Sequence, residues 1–214
     1  MNIVWYGNSC FKIQSKDLVL ITDPFDKSVG LKPPFCRADI VTVSHQHCDH
    51  NNVATLKDDP FVISGPGEYE IKEVAIRGIS SFHDNQEGAE RGTNAIFVIE
   101  MEGIRICHLG DLGQDNLING QLEKIGAVDI LMIPVGGVFT IDWKKADSVI
   151  NQIEPRIIIP MHYKIPGLNL KIDTLDKFAH ERGVSKKEAV SKLSVKKKDL
   201  PQEEAETIIM KLGN

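Results

Sequence analysis

The sequence predicts a mixed α+β fold, and three observations predict it. The first hundred residues are runs of β-branched and apolar residues cut by Gly, Pro and Asn. Beyond residue 110, stretches of helical period alternate with short apolar runs of the kind that buried strands use. The chain has 214 residues, 42% hydrophobic and 26% charged, so it can bury a substantial core without disulfides or a structural metal.

Each element has its own signal. Asn2–Tyr6 and Ser9–Gln14 flank Gly7-Asn8, a two-residue hairpin turn, and Asp17–Thr22 follows as a third strand. Ile40–Val43, Phe61–Ser64, Tyr69–Ile71 and Val74–Ile79 read as further strands, with Gly65-Pro66-Gly67 as punctuation. Ala95–Met101 and Ile104–Cys107 form a hairpin across Glu102-Gly103. Asn119–Ile125 is a short helix. Trp143, Ala146, Val149, Ile150 and Ile153 repeat at helical spacing behind Asp142 as N-cap, between strands Asp129–Ile133 and Arg156–Ile159. Ile172–Arg182 is predicted helical with Gly183 as its stop, and Ser185-Lys186-Lys187-Glu188 has the form of a capping box. Thr207–Leu212 is predicted as a closing strand. The polar stretch Lys186–Glu206, with Lys196-Lys197-Lys198, reads as a solvated face.

Charge and cysteine content exclude several function classes. Lys plus Arg number 25 against 30 Asp plus Glu, a net charge of −5, which speaks against a dedicated nucleic-acid binder. Cys10, Cys36, Cys48 and Cys107 form no CxxC pair, so a reduced, cytoplasmic setting is expected. Met1 to Phe11 has neither a basic leader nor a small-residue cleavage site, and no apolar run reaches the ~18 residues needed to span a bilayer. A homo-oligomer is allowed, but no apolar face demands one.

The chemistry is concentrated in Ser44-His45-Gln46-His47-Cys48-Asp49-His50, directly after a predicted strand. Three imidazoles and a carboxylate within six residues are a dense set of metal ligands held by a rigid element. With 7 His and 16 Asp in the chain, H-x-H-x-D-H arises by chance on the order of once in a thousand such sequences. His83, Asp111 and His162 stand at loop positions after other apolar runs. Five histidines and two aspartates can give each of two ions about three protein ligands and leave a place for water.

The order of these motifs resembles the metallo-β-lactamase superfamily of metal-dependent hydrolases over nearly the whole chain. Thr22-Asp23-Pro24-Phe25, His83-Asp84, His108-Leu109-Gly110-Asp111-Leu112-Gly113 and Pro160-Met161-His162-Tyr163 resemble the branch that includes ascorbate-6-phosphate lactonase. The resemblance implies a four-layer αββα sandwich of two facing mixed β-sheets, where periodicity alone supports only a mixed domain. It implies that His45, His47 and His83 bind a first metal, that Asp49, His50 and His162 bind a second, and that Asp111 bridges the two. Asp23 matches an aspartate that orients a ligand, or else is a turn residue before proline. His108 is a proton donor or a structural histidine. Cys48 is read as a buried small residue outside the ligand set, and His180, near a helix C-terminus, is given no role.

The expected function is hydrolysis of a small-molecule ester, lactone or phosphoester by a metal-bridging hydroxide, with Asp49, Asp111 and His108 as catalytic candidates. Two divalent ions are expected, zinc first, with manganese or iron as alternatives. A phosphodiesterase or nuclease of the same superfamily and a non-catalytic metal-binding regulator are the competing readings. Because one site recruits ligands from both halves, residues 1–214 are expected to form a single domain. The bound cations would let an acidic chain present a positive pocket to its substrate.

Overall fold

The computed structural model describes residues 1–213. Two mixed sheets face each other. The first contains β1 (Asn2–Gly7), β2 (Cys10–Ser15), β3 (Leu18–Thr22), β4 (Ile40–Thr42), β5 (Phe61–Ile63) and β12 (Leu193–Ser194), in the order β12-β1-β2-β3-β4-β5. The second contains β6 (Gly67–Ile71), β7 (Val74–Phe82), β8 (Thr93–Met101), β9 (Ile104–His108), β10 (Ile130–Pro134), β11 (Ile157–Met161) and β13 (Glu206–Thr207), in the order β13-β11-β10-β9-β8-β7-β6. Three α-helices among the described residues accompany them: α1 (Asn119–Ile125), α2 (Trp143–Ile153) and α3 (Asp176–Glu181). No helix is long and apolar enough to cross a membrane.

Strand direction decides where the loops gather. In the first sheet β1, β2 and β3 pair antiparallel and β3, β4 and β5 pair parallel, so β1, β3 and β4 run the same way. In the second, β6 to β9 pair antiparallel and β9, β10 and β11 pair parallel, so β7, β9 and β11 share one direction. The segments after these six strands carry Asn8, Asp23, the His45–His50 run, His83, Asp111 and His162. One end of the sandwich therefore collects every candidate ligand.

Alternation along the strands builds the layers. In β3, Leu20 joins the core between the sheets while Val19 and Ile21 face a second cluster with Phe25, Val29, Leu31, Leu168 and Ile172. The first sheet is thus covered on its outer side by a 3-10 turn (Lys27–Val29) and loops. On the second sheet, α2 buries Ala146, Val149, Ile150 and Ile153, the stripe its period predicts, and Asp142 Oδ1 accepts from the N–H groups of Lys144 and Lys145, both at 3.0 Å.

Two expectations are corrected. The helix predicted over Ile172–Arg182 begins only at Asp176, because Asp173 N–H donates to Gly136 O and Asp173 O accepts from Lys164 N–H, which holds that segment extended. Tertiary hydrogen bonding overrides the local period there. The capping-box segment at Ser185 does open one turn, a 3-10 turn over Lys186–Glu188. The closing strand is reduced to β13 plus isolated bridges at Met210 and Leu212.

Candidate metal centre

Each candidate ligand is placed by a strand that ends at the same edge. β4 leads through Val43 and Ser44 into His45, His47, Asp49 and His50; β7 ends one residue before His83; β9 leads to Asp111; β11 ends one residue before His162. Three residues at these ends take left-handed backbone conformations without being glycine: Asn8 (φ 49°), Asp23 (φ 40°) and His162 (φ 50°). The chain also uses this conformation in turns elsewhere, but at these three positions it turns a side chain sharply off a strand end.

The side chains form two groups. His45, His47 and His83 offer ligand atoms that all lie within 4.8 Å of one another, and Asp49, His50, Asp111 and His162 do the same within that limit. Asp111 Oδ2 stands 3.2 Å from His50 Nε2, 3.2 Å from His162 Nε2 and 3.6 Å from His83 Nε2, so one carboxylate oxygen touches both groups. His50 Nε2 lies 3.3 Å from Asp49 Oδ2. Two ligand atoms about 2.1 Å from a shared tetrahedral ion sit roughly 3.4 Å apart, so these spacings match those of a coordination shell. His47 is exposed at the mouth, whereas His45, His50, His83, Asp111 and His162 are buried.

Hydrogen bonds fix which ring nitrogens face inward. Asp23 Oδ1 accepts from Ser44 N–H at 2.7 Å, and its Oδ2 accepts from Ser44 Oγ at 2.6 Å. The same Oδ2 lies 2.9 Å from His50 Nδ1, so that nitrogen carries a proton and, in the neutral ring, Nε2 is the atom that would meet an ion. With the Ser44 hydroxyl proton given to Asp23, Ser44 Oγ is left to accept from His45 Nδ1 at 3.0 Å. His45 Nε2 is then a bare acceptor, buried and without a hydrogen-bond partner among the described residues. An unpaired buried lone pair aimed at two other imidazoles fits a cation, and the donor set of nitrogens and carboxylate oxygens suits zinc, manganese or iron.

The electrostatics point the same way. Burial and the neighbouring His50 push the His45 imidazole down to about 3, so it stays neutral. Burial also opposes charge on His50, but Asp111, Asp49 and Asp23 outweigh it and hold its proton affinity well above that of an ordinary imidazole. Burial would raise Asp111, yet His162 and His50 hold its carboxyl well below the usual range. A buried pocket with this much anionic character attracts positive charge.

Several residues that hold the site give no motif signal in the sequence. Asn8 Nδ2 donates to the Asp49 backbone oxygen at 3.1 Å and to its Oδ2 at 3.3 Å, and Ser9 Oγ donates to Asp111 Oδ1 at 3.3 Å. Asn94 Oδ1 accepts from Asp111 N–H at 3.0 Å, while its Nδ2 donates to Leu109 O at 2.9 Å. The β1–β2 hairpin forms, but its two-residue turn is Asn8-Ser9, one position later than the predicted Gly7-Asn8, and the turn position masks the second task of Asn8. His108 is fully buried; its Nε2 donates to Ser9 O at 2.8 Å and its Nδ1 accepts from Gly110 N–H at 3.2 Å. Both ring nitrogens are thus engaged by backbone groups of the described residues, an arrangement that suits the structural reading of His108. Cys48 stands in neither ligand group but is exposed rather than buried, a correction that follows from its place on the loop beside the exposed His47, and His180 lies in the last turn of α3.

A sandwich of two mixed sheets with histidines and aspartates gathered at one edge defines a class of metalloprotein scaffold. The chain belongs to the family described as the beta-lactamase superfamily domain, whose profile matches residues 2–162. The match ends at His162. A UPF0173 metal-dependent hydrolase from Thermoplasma acidophilum is 31% identical, with 76% of this chain and 83% of that protein covered. A crystal structure from Thermotoga maritima, assigned to the Zn-dependent hydrolases of the metallo-β-lactamase superfamily, superimposes with a TM-score of 0.80 at 36% identity, covering 98% of this chain and 97% of that one. The isothiocyanate hydrolase from Delia radicum gut bacteria shares the fold at 14% identity, with a TM-score of 0.68 and 92% and 99% of the two chains covered.

Proposed function

We propose that this protein is a metal-dependent hydrolase of a small-molecule ester, lactone or phosphoester, working with two divalent cations. The observation that carries the proposal is Asp111 Oδ2, placed within 3.6 Å of imidazole nitrogens from both ligand groups. His45, His47 and His83 would hold one ion, Asp49, His50 and His162 the other, with Asp111 between them. The imidazole-rich set favours zinc, and its carboxylates keep manganese and iron as alternatives. Such ions, when bound, lower the pKa of coordinated water and polarise the bond to be cleaved.

The chain's own residues supply positioning. Asp23 and Ser44 keep His50 and His45 in the tautomers whose Nε2 atoms face the ions. Asn8 and Ser9 restrain Asp49 and Asp111. The Asp49 side chain is 15% exposed against 0% for Asp23 and 2% for Asp111, so it is the site carboxylate placed to exchange a proton with substrate. We further propose one domain over residues 1–214, because the ligand groups draw on residues 45 to 162. The four unpaired cysteines support a reduced cytoplasmic setting.

Metal analysis of protein purified without chelator, with a panel of lactones, esters and phosphoesters, tests this reading. The expected result is close to two equivalents of metal and turnover of at least one substrate, lost in Asp111→Ala. Less than about half an equivalent after reconstitution would overturn the two-ion centre.

A further inference from the structure

A cavity of about 470 Å³ opens beside the first ligand group. His45 and His47 form part of its wall, with Ser64, Ser80 and Thr93 supplying hydroxyl groups and Arg91 the one positive side chain among the Lys and Arg residues of the chain. Among the described residues no carboxylate lines it. In a chain with a net charge of −5, a space next to candidate ligands that holds a guanidinium and no acid is a marked local reversal.

Arg91 is held in place by structure that begins at the site. Immediately after His83, Asp84 accepts four backbone N–H bonds: from Gln86 and Gly88, both at 2.8 Å, from Glu90 at 2.9 Å and from Arg91 itself at 2.7 Å. The carboxylate thus fixes the turn that carries Arg91. On the far side, the guanidinium carbon lies 5.7 Å from the centre of the Phe139 ring. Glu90, at 3.6 Å, is the one carboxylate paired with Arg91 among the described residues. That acid is 52% exposed, and its other oxygen accepts from Gln86 Nε2 at 2.5 Å, so it neutralises Arg91 weakly.

We infer that Arg91 binds a carboxylate of the substrate in this cavity, so that the molecule hydrolysed is a small anion whose scissile bond lies toward His45 and His47. A single guanidinium without a second cation matches a single negative charge, and its planar fork pairs with the two oxygens of a carboxylate. Ser64 and Thr93 add neutral hydrogen bonds to the same group. This assignment rests on the hydrolase reading above and names the chemical class of its substrate.

Calorimetric titration of the metal-loaded protein with monoethyl succinate and diethyl succinate tests it, since the two share an ester and differ by one carboxylate. Wild type binds the monoester more tightly. Arg91→Ala weakens the monoester by about tenfold and leaves the diester within about twofold, while Arg91→Lys recovers part of the loss. Equal weakening of both ligands, or no preference for the monoester in wild type, overturns the assignment. Hydrolysis of both esters is followed in the same samples. Arg91-dependent binding with no turnover counts against the hydrolase reading and leaves the carboxylate subsite standing.

Discussion

Asp23 Oδ2 and His50 Nδ1 lie 2.9 Å apart with both side chains completely buried. Through Ser44, the same carboxylate also sets the ring of His45. One aspartate therefore orients one imidazole in each ligand group. Asp23→Asn replaces the charged acceptor with an amide and should lower metal affinity by roughly 10- to 100-fold at both positions. Competition against a chromogenic chelator measures this, and unaltered affinity would refute the orienting role.

Two glycines let backbones pass close to ligand residues. A Cβ on Gly113 would meet the His83 carbonyl carbon and oxygen at 2.3 Å, and one on Gly136 would meet the His162 oxygen at 2.1 Å. Gly113→Ala and Gly136→Ala should each cost about 1–3 kcal/mol, as overpacking does. The ligand disturbed differs: Gly113→Ala should weaken binding at the His45, His47 and His83 group, and Gly136→Ala at the group containing His162. Thermal unfolding with metal equivalents per chain separates these two effects.

Away from the site, Asp39 gives the fold a pH dependence. Its Oδ2 accepts from Val19 N–H at 2.9 Å, and its Oδ1 meets Lys72 Nζ at 2.6 Å and Arg37 Nη2 at 3.0 Å. Burial raises this carboxyl, but Lys72, Val19 and Arg37 outweigh it and hold it below its ordinary value of 3.8. A depressed carboxylate stabilises the fold at pH above its unfolded value and loses that contribution as pH falls below it. Asp39→Ala should cost about 1–2 kcal/mol near neutrality, the Val19 hydrogen bond counting for more than the two half-exposed cations. The gap between wild type and variant should shrink in denaturant titrations as pH drops from about 4.

Removing metal should destabilise the protein by mass action. At free metal of about 100 times the dissociation constant, binding to the folded state alone adds about 2.7 kcal/mol. Dialysis against a chelator should therefore lower the melting temperature, and readdition of zinc should restore it. In Asp111→Ala the same treatment should produce a much smaller shift.

Residues whose meaning is local were legible in the sequence. The His45–His50 run is too dense to be incidental, and α2 announces itself through Asp142 and the spacing of Ala146, Val149, Ile150 and Ile153. What escaped depends on distant partners. Asn8 looks like any hairpin residue until folding brings it to Asp49, and Asn94 looks like an ordinary strand residue until Leu109 and Asp111 arrive. The role of His108 is decided by Ser9, 99 positions away. Ile172–Thr174 has helical period but is drawn into pairing with Lys164 and Gly136, a choice made by tertiary contacts. β12, only two residues long, is too short to carry any pattern.

The pairing of β1 with β12 has a consequence for synthesis. Asn2 and Ile3 find their outer partners, Ser194 and Leu193, only after about 190 further residues have been made. The last candidate ligand, His162, is translated well before that. The nascent protein therefore passes through an interval in which the ion-binding residues are all present while one margin of the first sheet is still open. An open margin invites strand addition from another chain. Early ion capture, by rigidifying the loops after β1, β3 and β4, would hold that margin in its native twist until Leu193 and Ser194 close it.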